Sequence, residues 1–504
     1  MSEVVVSEVR RDHYVDSVAL MRLSQSLMNI EGVQEAALMM GTAANLALME
    51  DARLLDETGR HANGGDLVVG VRAENQEAAT AALLEAKNLL GSSKRNDDAE
   101  AKWRPKSVRA AVNGMPDANL ALISVSGEFA ATEARKAIRR GLHAMIFSDN
   151  VSLADEVAIK REALDAGVLA MGPDCGTAIL NGVPLAFANV VRQGTVGIVG
   201  ASGTGIQEVT CLIDHLGGGV SHAIGVGGRD LSHDVGGIST LMALDLLDED
   251  AETEHVVIIS KPPPVDVASR ILDRVSRSNK SFTVCFIGSP SLNMPSSATQ
   301  AFTLESAAEI AVGRELAVGK ELAGISADGA WHTLRSATGN IVQGLFSGGT
   351  LCSEAQVTFA EAGQPIQSNV LLPSLADGRS VAGAHVMLDL GEDEYTRGRP
   401  HPMIDPTVRS PVLREALQLP QTAVVLLDIV IGFGSAADPA GEVTSVLRDV
   451  VKRDRPAVVA SVTGTDSDPQ SRVAQMSKLQ AEGVHVARSN AQAARLALEV
   501  LAAK

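Results

Sequence analysis

Residues 194–208 read GTVGIVGASGTGIQE: an apolar run that stops in a cluster of small residues and restarts with helical spacing. An apolar strand turned by Gly200, Gly203 and Gly205 into a helix is the opening of an α/β unit with a parallel sheet. The glycines permit close backbone approach, Ser202 and Thr204 offer hydroxyls, and the first amides of the helix have no intrahelical acceptor. Such a turn either packs tightly or cradles an oxyanion. It lacks the lysine of a GxxxxGK[ST] loop and the spacing of GxGxxG, so the spelling does not name the anion.

Working outward, the same signals recur. Toward the C-terminus, residues 340–354 (NIVQGLFSGGTLCSE) repeat the strand, the Ser-Gly turn and the helix start, with Ser347, Gly348, Gly349 and Thr350 as a second candidate cradle. Two cradles facing one another would supply two helix dipoles and many N–H donors without net positive charge. Around these turns lie the apolar strands SHAIGVGG, HVVIISKPPP, SFTVCFIGSP, AHVMLDLG, TAVVLLDIVIGFG, RPAVVASVTGTD and VHVARSN. Toward the N-terminus, strands NLALISVS, HAMIFSD and GVLAMG alternate with helical patterns. The first 92 residues do the same on a smaller scale, and 93–112 is polar with mixed charge.

The expected organisation is therefore α/β and multidomain, with parallel-sheet Rossmann-like or flavodoxin-like modules. A small ferredoxin-like domain spans 1–92, a linker 93–112, a truncated Rossmann domain 113–193, and two flavodoxin-like domains 194–320 and 338–504, joined by a helical connection. The length of 504 residues, roughly three or four domains' worth, accommodates this.

Composition narrows function. Nine Phe, two Trp and two Tyr against 46 Gly leave few rings to stack on bases, and the net charge of −18 repels nucleic-acid phosphates and anionic lipid. No nucleic-acid or membrane partner is expected. The charged N-terminus and the short, interrupted apolar runs argue against a signal peptide or membrane span, so a cytoplasmic location is expected. Cys175, Cys211, Cys285 and Cys352 are far apart and form no CxxC pair, which reads as buried reduced thiols and no metal site.

Two further loops carry candidates. GVGGRDLSHDVGG (225–237) offers Arg229 as a carboxylate clamp, Asp230 as an orienting group and His233 as a base, or is a glycine-rich surface loop. DLGEDEYTRGRPHPMIDP (389–406) offers Arg399 for substrate and His401 for acid–base work, or is a stiff loop.

These strings carry a family resemblance. Residues 172–208 resemble the α subunit of succinyl-CoA synthetases, and the stretch from GLFSGGTLCSEA onward is similar to the synthetase-type domain of the β subunit. GGTLC, RPHPMIDP and VTGT also resemble the FdrA family, which joins such modules in one chain, over residues 110–504. Against the synthetase pattern, FIG (286–288) is followed by no histidine through residue 311, so no phosphohistidine relay is expected; an ATP-grasp domain is missing as well. The FdrA resemblance implies a component of oxamate carbamoyltransferase, moving a carbamoyl group between oxalurate and phosphate in ureide catabolism. Residues 202–205 and 347–350 would hold the phosphate, Arg229 or Arg399 the carboxylate, with His233, His401 and Asp230 for proton transfer. That reading needs phosphate as substrate, no further cofactor, companion subunits and an assembly larger than a monomer. The alternatives are an ADP-forming acyl-CoA synthetase, using CoA and ATP with a partner chain, and a non-catalytic scaffold.

Overall fold

The computed structural model describes residues 3–15, 17–97, 105–314, 316, 339–375, 383–396, 400–450 and 455–502. The helical connection expected after residue 320 lies outside them. The chain divides into two compact units, one of residues 1–168 and 393–400, the other of 169–392 and 401–504.

In the first unit, strands Val4–Arg10 and Val33–Met40 flank Leu67–Ala73, each antiparallel to it, which makes a split β-α-β arrangement. The central strand is the most buried, and Leu67, Val69 and Val71 form a core with Leu20 and Leu27 of helix Ser17–Met28 and Ala79 and Ala82 of helix Gln76–Asp97. That last helix continues five residues into the segment read as linker, of which 98–104 lie outside the described residues. A βα pair follows: strands Leu120–Ile123 and His143–Ile146 run parallel, trailed by helices Gly127–Ile138 and Leu153–Ala166. Ser152 caps the latter helix, and Gly167 ends it at φ +68°, a conformation glycine adopts without a β-carbon clash.

The second unit contains two sheets. The seven-stranded one runs, in spatial order, Ala298–Gln300, Ser281–Phe286, His255–Ser260, Gln193–Gly200, Val220–Gly225, Thr177–Leu180 and Val183–Ala186. Its first five members are parallel in flavodoxin-like order; the last two form a hairpin antiparallel to Val220–Gly225. This corrects the expected 113–193 boundary, because residues 177–186 extend the following sheet. Their alternation is too short to show which sheet they join; the pairing is a tertiary choice.

The six-stranded sheet, all parallel, runs Ile366–Ser368, His385–Asp389, Ile341–Phe346, Thr422–Val430, Ala457–Thr463 and His485–Ala487. Without the three-residue edge strand it has the same order as its neighbour. The first parallel strand of each sheet, Gln193–Gly200 or Ile341–Phe346, is therefore central, and its C-terminal end sits at the switch point of the strand order. Helices Gly203–His215 and Gly349–Glu361 spring from those ends and share one apolar core, which includes Ile206, Val209, Leu351 and Ala355.

Within that core the two helices place equivalent acids, Glu208 and Glu354. Glu354 accepts from Leu304 N (2.6 Å) and Asn490 Nδ2 (2.8 Å); Glu208 accepts from Asn490 N (3.0 Å) and Thr463 Oγ1. Burial raises the Glu354 carboxyl to about 8, against the Asn490 hydrogen bond and with help from Glu208. Raised above its unfolded value of 4.5, it favours the folded state fully below pH 4.5 and less as pH climbs toward 8. Glu354→Gln should therefore gain melting temperature relative to the parent chain as pH rises from 5 to 8. A difference independent of pH in thermal unfolding would show that Glu354 is ionised throughout.

Candidate active site at two facing helix starts

The two glycine turns meet. Ser202 caps helix Gly203–His215 by accepting from Gly205 N at 3.0 Å, and its Oγ lies 2.5 Å from Thr350 Oγ1, in the first turn of helix Gly349–Glu361. A β-carbon on Gly348 would come within 3.0 Å of Thr204 Cβ, so glycine is what lets the two helix starts approach this closely. The capped amide of Gly205 is satisfied, whereas those of Gly203, Thr204, Gly349 and Thr350 lie in the first helical turns, where no intrahelical acceptor exists.

The second turn is held by a buried acid. Asp428, 0% exposed in the middle of strand Thr422–Val430, accepts from Ser347 N (2.8 Å), Ser347 Oγ (2.9 Å) and Gly348 N (2.8 Å). Arg409 closes the network, with Nη2 donating to Asp428 Oδ1 (2.6 Å) and Ser347 Oγ (2.9 Å) and Nη1 to the Asp428 carbonyl (2.6 Å). This corrects the expectation for Ser347 and Gly348: their donors serve Asp428 and shape the turn, whereas the amides of Gly349 and Thr350 follow it in the first helical turn.

Beside Gly349 stands Asp389, at the C-terminal end of strand His385–Asp389. Its Oδ2 would be 2.5 Å from a Gly349 β-carbon, and its Oδ1 accepts from Gly391 N at 2.9 Å. Burial, the main cause, raises this carboxyl to about 6; the Gly391 amide and Lys261 oppose the rise, and Glu392 and Asp428 add to it. His401 packs on the other side of Gly391, where its Nε2 would be 2.5 Å from a β-carbon. Its Nδ1 accepts from Met403 N (3.2 Å), which puts the proton of the neutral ring on Nε2. Burial lowers its pKa to about 4, with Asp428 acting the other way, so the His401 ring is neutral at pH 7.

The other expected residues stand apart. Asp230 is fully buried; its oxygens accept from Ser239 N (3.1 Å), Thr240 N (2.9 Å) and Thr240 Oγ1 (2.6 Å), so it caps helix Ile238–Glu249. His233 is 78% exposed and lies 3.5 Å from Asp266, a surface pair with no enclosed environment for general-base work. Arg229 is exposed in the same loop. Arg399 lies outside the described residues. All four cysteines are buried and form no disulfide. Among the described residues, no helix is long and apolar enough to cross a membrane, and no group of three or more His, Cys, Asp or Glu is placed to hold a metal ion.

Asp428, Arg409, Asp389 and Lys261 are the residues that sequence reading missed. Asp428 had a signal, a lone charge inside the apolar run AVVLLDIVIGF. Lys261 had a weaker one, a cation ending the strand HVVIIS, and the remaining two are placed by tertiary packing alone.

With this geometry in hand, comparison with known proteins is informative. Residues 191–288 match the family model of the CoA binding domain and 345–500 that of CoA-ligase, the two stretches that supply the facing helices. The uncharacterized protein YahF of Escherichia coli K12 is 37% identical over 515 residues, covering 98% of either chain. The chain belongs to the succinyl-CoA synthetase-like family that includes YahF. The α 2 subunit of the ADP-forming succinate–CoA ligase of Archaeoglobus fulgidus is 29% identical over 159 residues, 31% of this chain and 54% of that one. A subunit of the ADP-forming sulfoacetate–CoA ligase of Bilophila wadsworthia is 31% identical over 162 residues, with the same coverage. The chain thus spans about half the length of these ligase subunits. These matches overturn the expected carbamoyltransferase class: both models and both enzymes belong to CoA ligation.

Residues 1–105 match a heavy metal-associated domain described for AllF. That stretch contains no cysteine, the soft ligand such metals favour, so its residues do not fit a thiolate metal site.

Removing Asp428 leaves Arg409 buried without its carboxylate and frees two amides of the turn. Asp428→Ala should cost about 3–5 kcal/mol in urea unfolding; a cost near that of a surface substitution would show that the network does not organise this site.

Proposed function

We propose that this chain carries the phosphate-handling half of an ADP-forming acyl-CoA ligase and acts with a companion chain that supplies the nucleotide site. The supporting observation is the 2.5 Å approach of Ser202 and Thr350, which points two helix N-termini at one place. That place suits a tetrahedral dianion, because the first-turn amides donate to it and the helix dipoles favour it without requiring net positive charge from a −18 chain. Membership of the FdrA branch is part of this proposal, resting on RPHPMIDP at 399–406.

In the chemical step, the CoA sulfur forms a bond to the carbonyl carbon of an acyl phosphate, the C–O bond to phosphate breaks, and inorganic phosphate leaves carrying the proton that the thiol gives up. Amides of residues 203–204 and 349–350 would take up the charge that collects on the departing phosphate, a stabilisation that grows along the reaction. With no histidine in residues 289–311, the phosphate is handled without a carrier in that loop.

The reverse half-reaction tests this without the companion chain. Incubated with arsenate and succinyl-CoA or sulfoacetyl-CoA, the purified chain should release CoA, read by thiol titration, and Thr350→Val, which removes the hydroxyl that joins the two helix starts, should slow release by up to about tenfold. Absence of arsenate-dependent release from either thioester would count against the ligase reading.

A further inference from the structure

Asp389 is 5% exposed, and its Oδ2 takes no part in the hydrogen bonds that hold the facing helix starts. Oδ1 is satisfied by Gly391 N; Oδ2 rests against Gly349 Cα with no hydrogen-bond donor or acceptor. Ionised, this oxygen would place negative charge where two helix dipoles attract an anion, and would exclude it. Protonated, it becomes an O–H donor that no protein atom accepts, beside amides that also donate.

The charged groups around Asp389 come from every neighbouring element. Glu392 follows it on its own segment. Asp428 faces it from strand Thr422–Val430, with its charge tied to Arg409. His401, neutral, lies across Gly391. Lys261 approaches from the end of strand His255–Ser260, in electrostatic reach of Asp389 without forming an ion pair with it. The backbone before Lys261 borders the first cradle, since Ala201 N donates to the Ile259 carbonyl at 2.9 Å. The buried Asp389 carboxyl thus lies beside the second helix start, and the exposed Lys261, whose strand end borders the first, lies within electrostatic reach of it.

Resting on the reading of those starts as an anion site, we propose that the anion is taken up together with one proton, which Asp389 carries on Oδ2 and donates to an anion oxygen, while Lys261 supplies positive charge to the same place. The proton comes from solvent, no covalent bond forms or breaks, and the ligand class is a tetrahedral oxyanion or phosphoryl group. In a ligase this means that the phosphate-bound state is favoured in mildly acidic solution and that release of phosphate is accompanied by release of the proton.

Sulfate is the probe, being tetrahedral and dianionic with no titration of its own near neutrality. Calorimetric titration of the intact chain between pH 5 and 8, in buffers of different ionisation enthalpy, reads both affinity and proton uptake. Affinity should fall toward tenfold per pH unit above about pH 6, with uptake rising toward one proton per sulfate. Asp389→Asn keeps an acceptor for Gly391 N and should bind sulfate with flat pH dependence and no uptake. Lys261→Ala should weaken binding at every pH and leave the slope intact, and Lys261→Arg should restore it. Sulfate binding by the unaltered chain that is independent of pH, or that requires added magnesium, overturns the proton-coupled proposal and leaves the anion site standing. No sulfate binding at any pH overturns both.

Discussion

Two helices that begin against each other carry like partial charges, and an arrangement that holds them 2.5 Å apart at their side-chain tips must neutralise those charges. This constraint organises the second unit. Asp428 neutralises one helix start from beneath through Ser347 and Gly348, and Arg409 makes its burial tolerable. Asp389 stands beside the same start with one oxygen uncommitted. What remains are first-turn amides of two helices that have no intrahelical acceptor, the place that the proposed function gives to a dianion. Duplication of one flavodoxin-like order in two sheets gives the constraint its symmetry: each first strand ends at its own switch point, and each sheet launches one of the two helices.

The same symmetry buries Glu208 and Glu354 at matching positions, where Asn490 and Thr463 bond them and Leu304 N bonds Glu354. Burial makes these acids costly to ionise, so the helices are locked by neutral or hydrogen-bonded groups, while the charge-bearing chemistry is kept at their N-terminal ends. A structural acid such as Asp230 and a site acid such as Asp389 are told apart by their bonds. Asp230 has both oxygens occupied by one helix start; Asp389 has one oxygen occupied and the other free.

Much of this was legible in the residues. The apolar strands and glycine turns announced the parallel sheets, and the repeat of GASGTG by FSGGT announced two equivalent helix starts, because strand period and turn chemistry are local. The places where reading failed are those set by tertiary pairing. The hairpin 177–186 joined the sheet after it and not the one before, and the edge strands Ala298–Gln300 and Ile366–Ser368 are too short to show a period. Asp230 and His233 looked alike as polar loop residues, yet one is sealed under a helix and the other faces solvent. Sequence shows which side chains are available; enclosure, which decides their chemistry, is a property of the packed fold.

The measurement that bears most directly on this account is a crystal structure of the full chain grown with inorganic phosphate. The account predicts one phosphate within hydrogen-bond distance of the amides of residues 203–204 and 349–350, with Ser202 and Thr350 in contact and Asp389 Oδ2 on a phosphate oxygen. Phosphate bound elsewhere, or helix starts that stand apart with Ser202 and Thr350 separated, would contradict it.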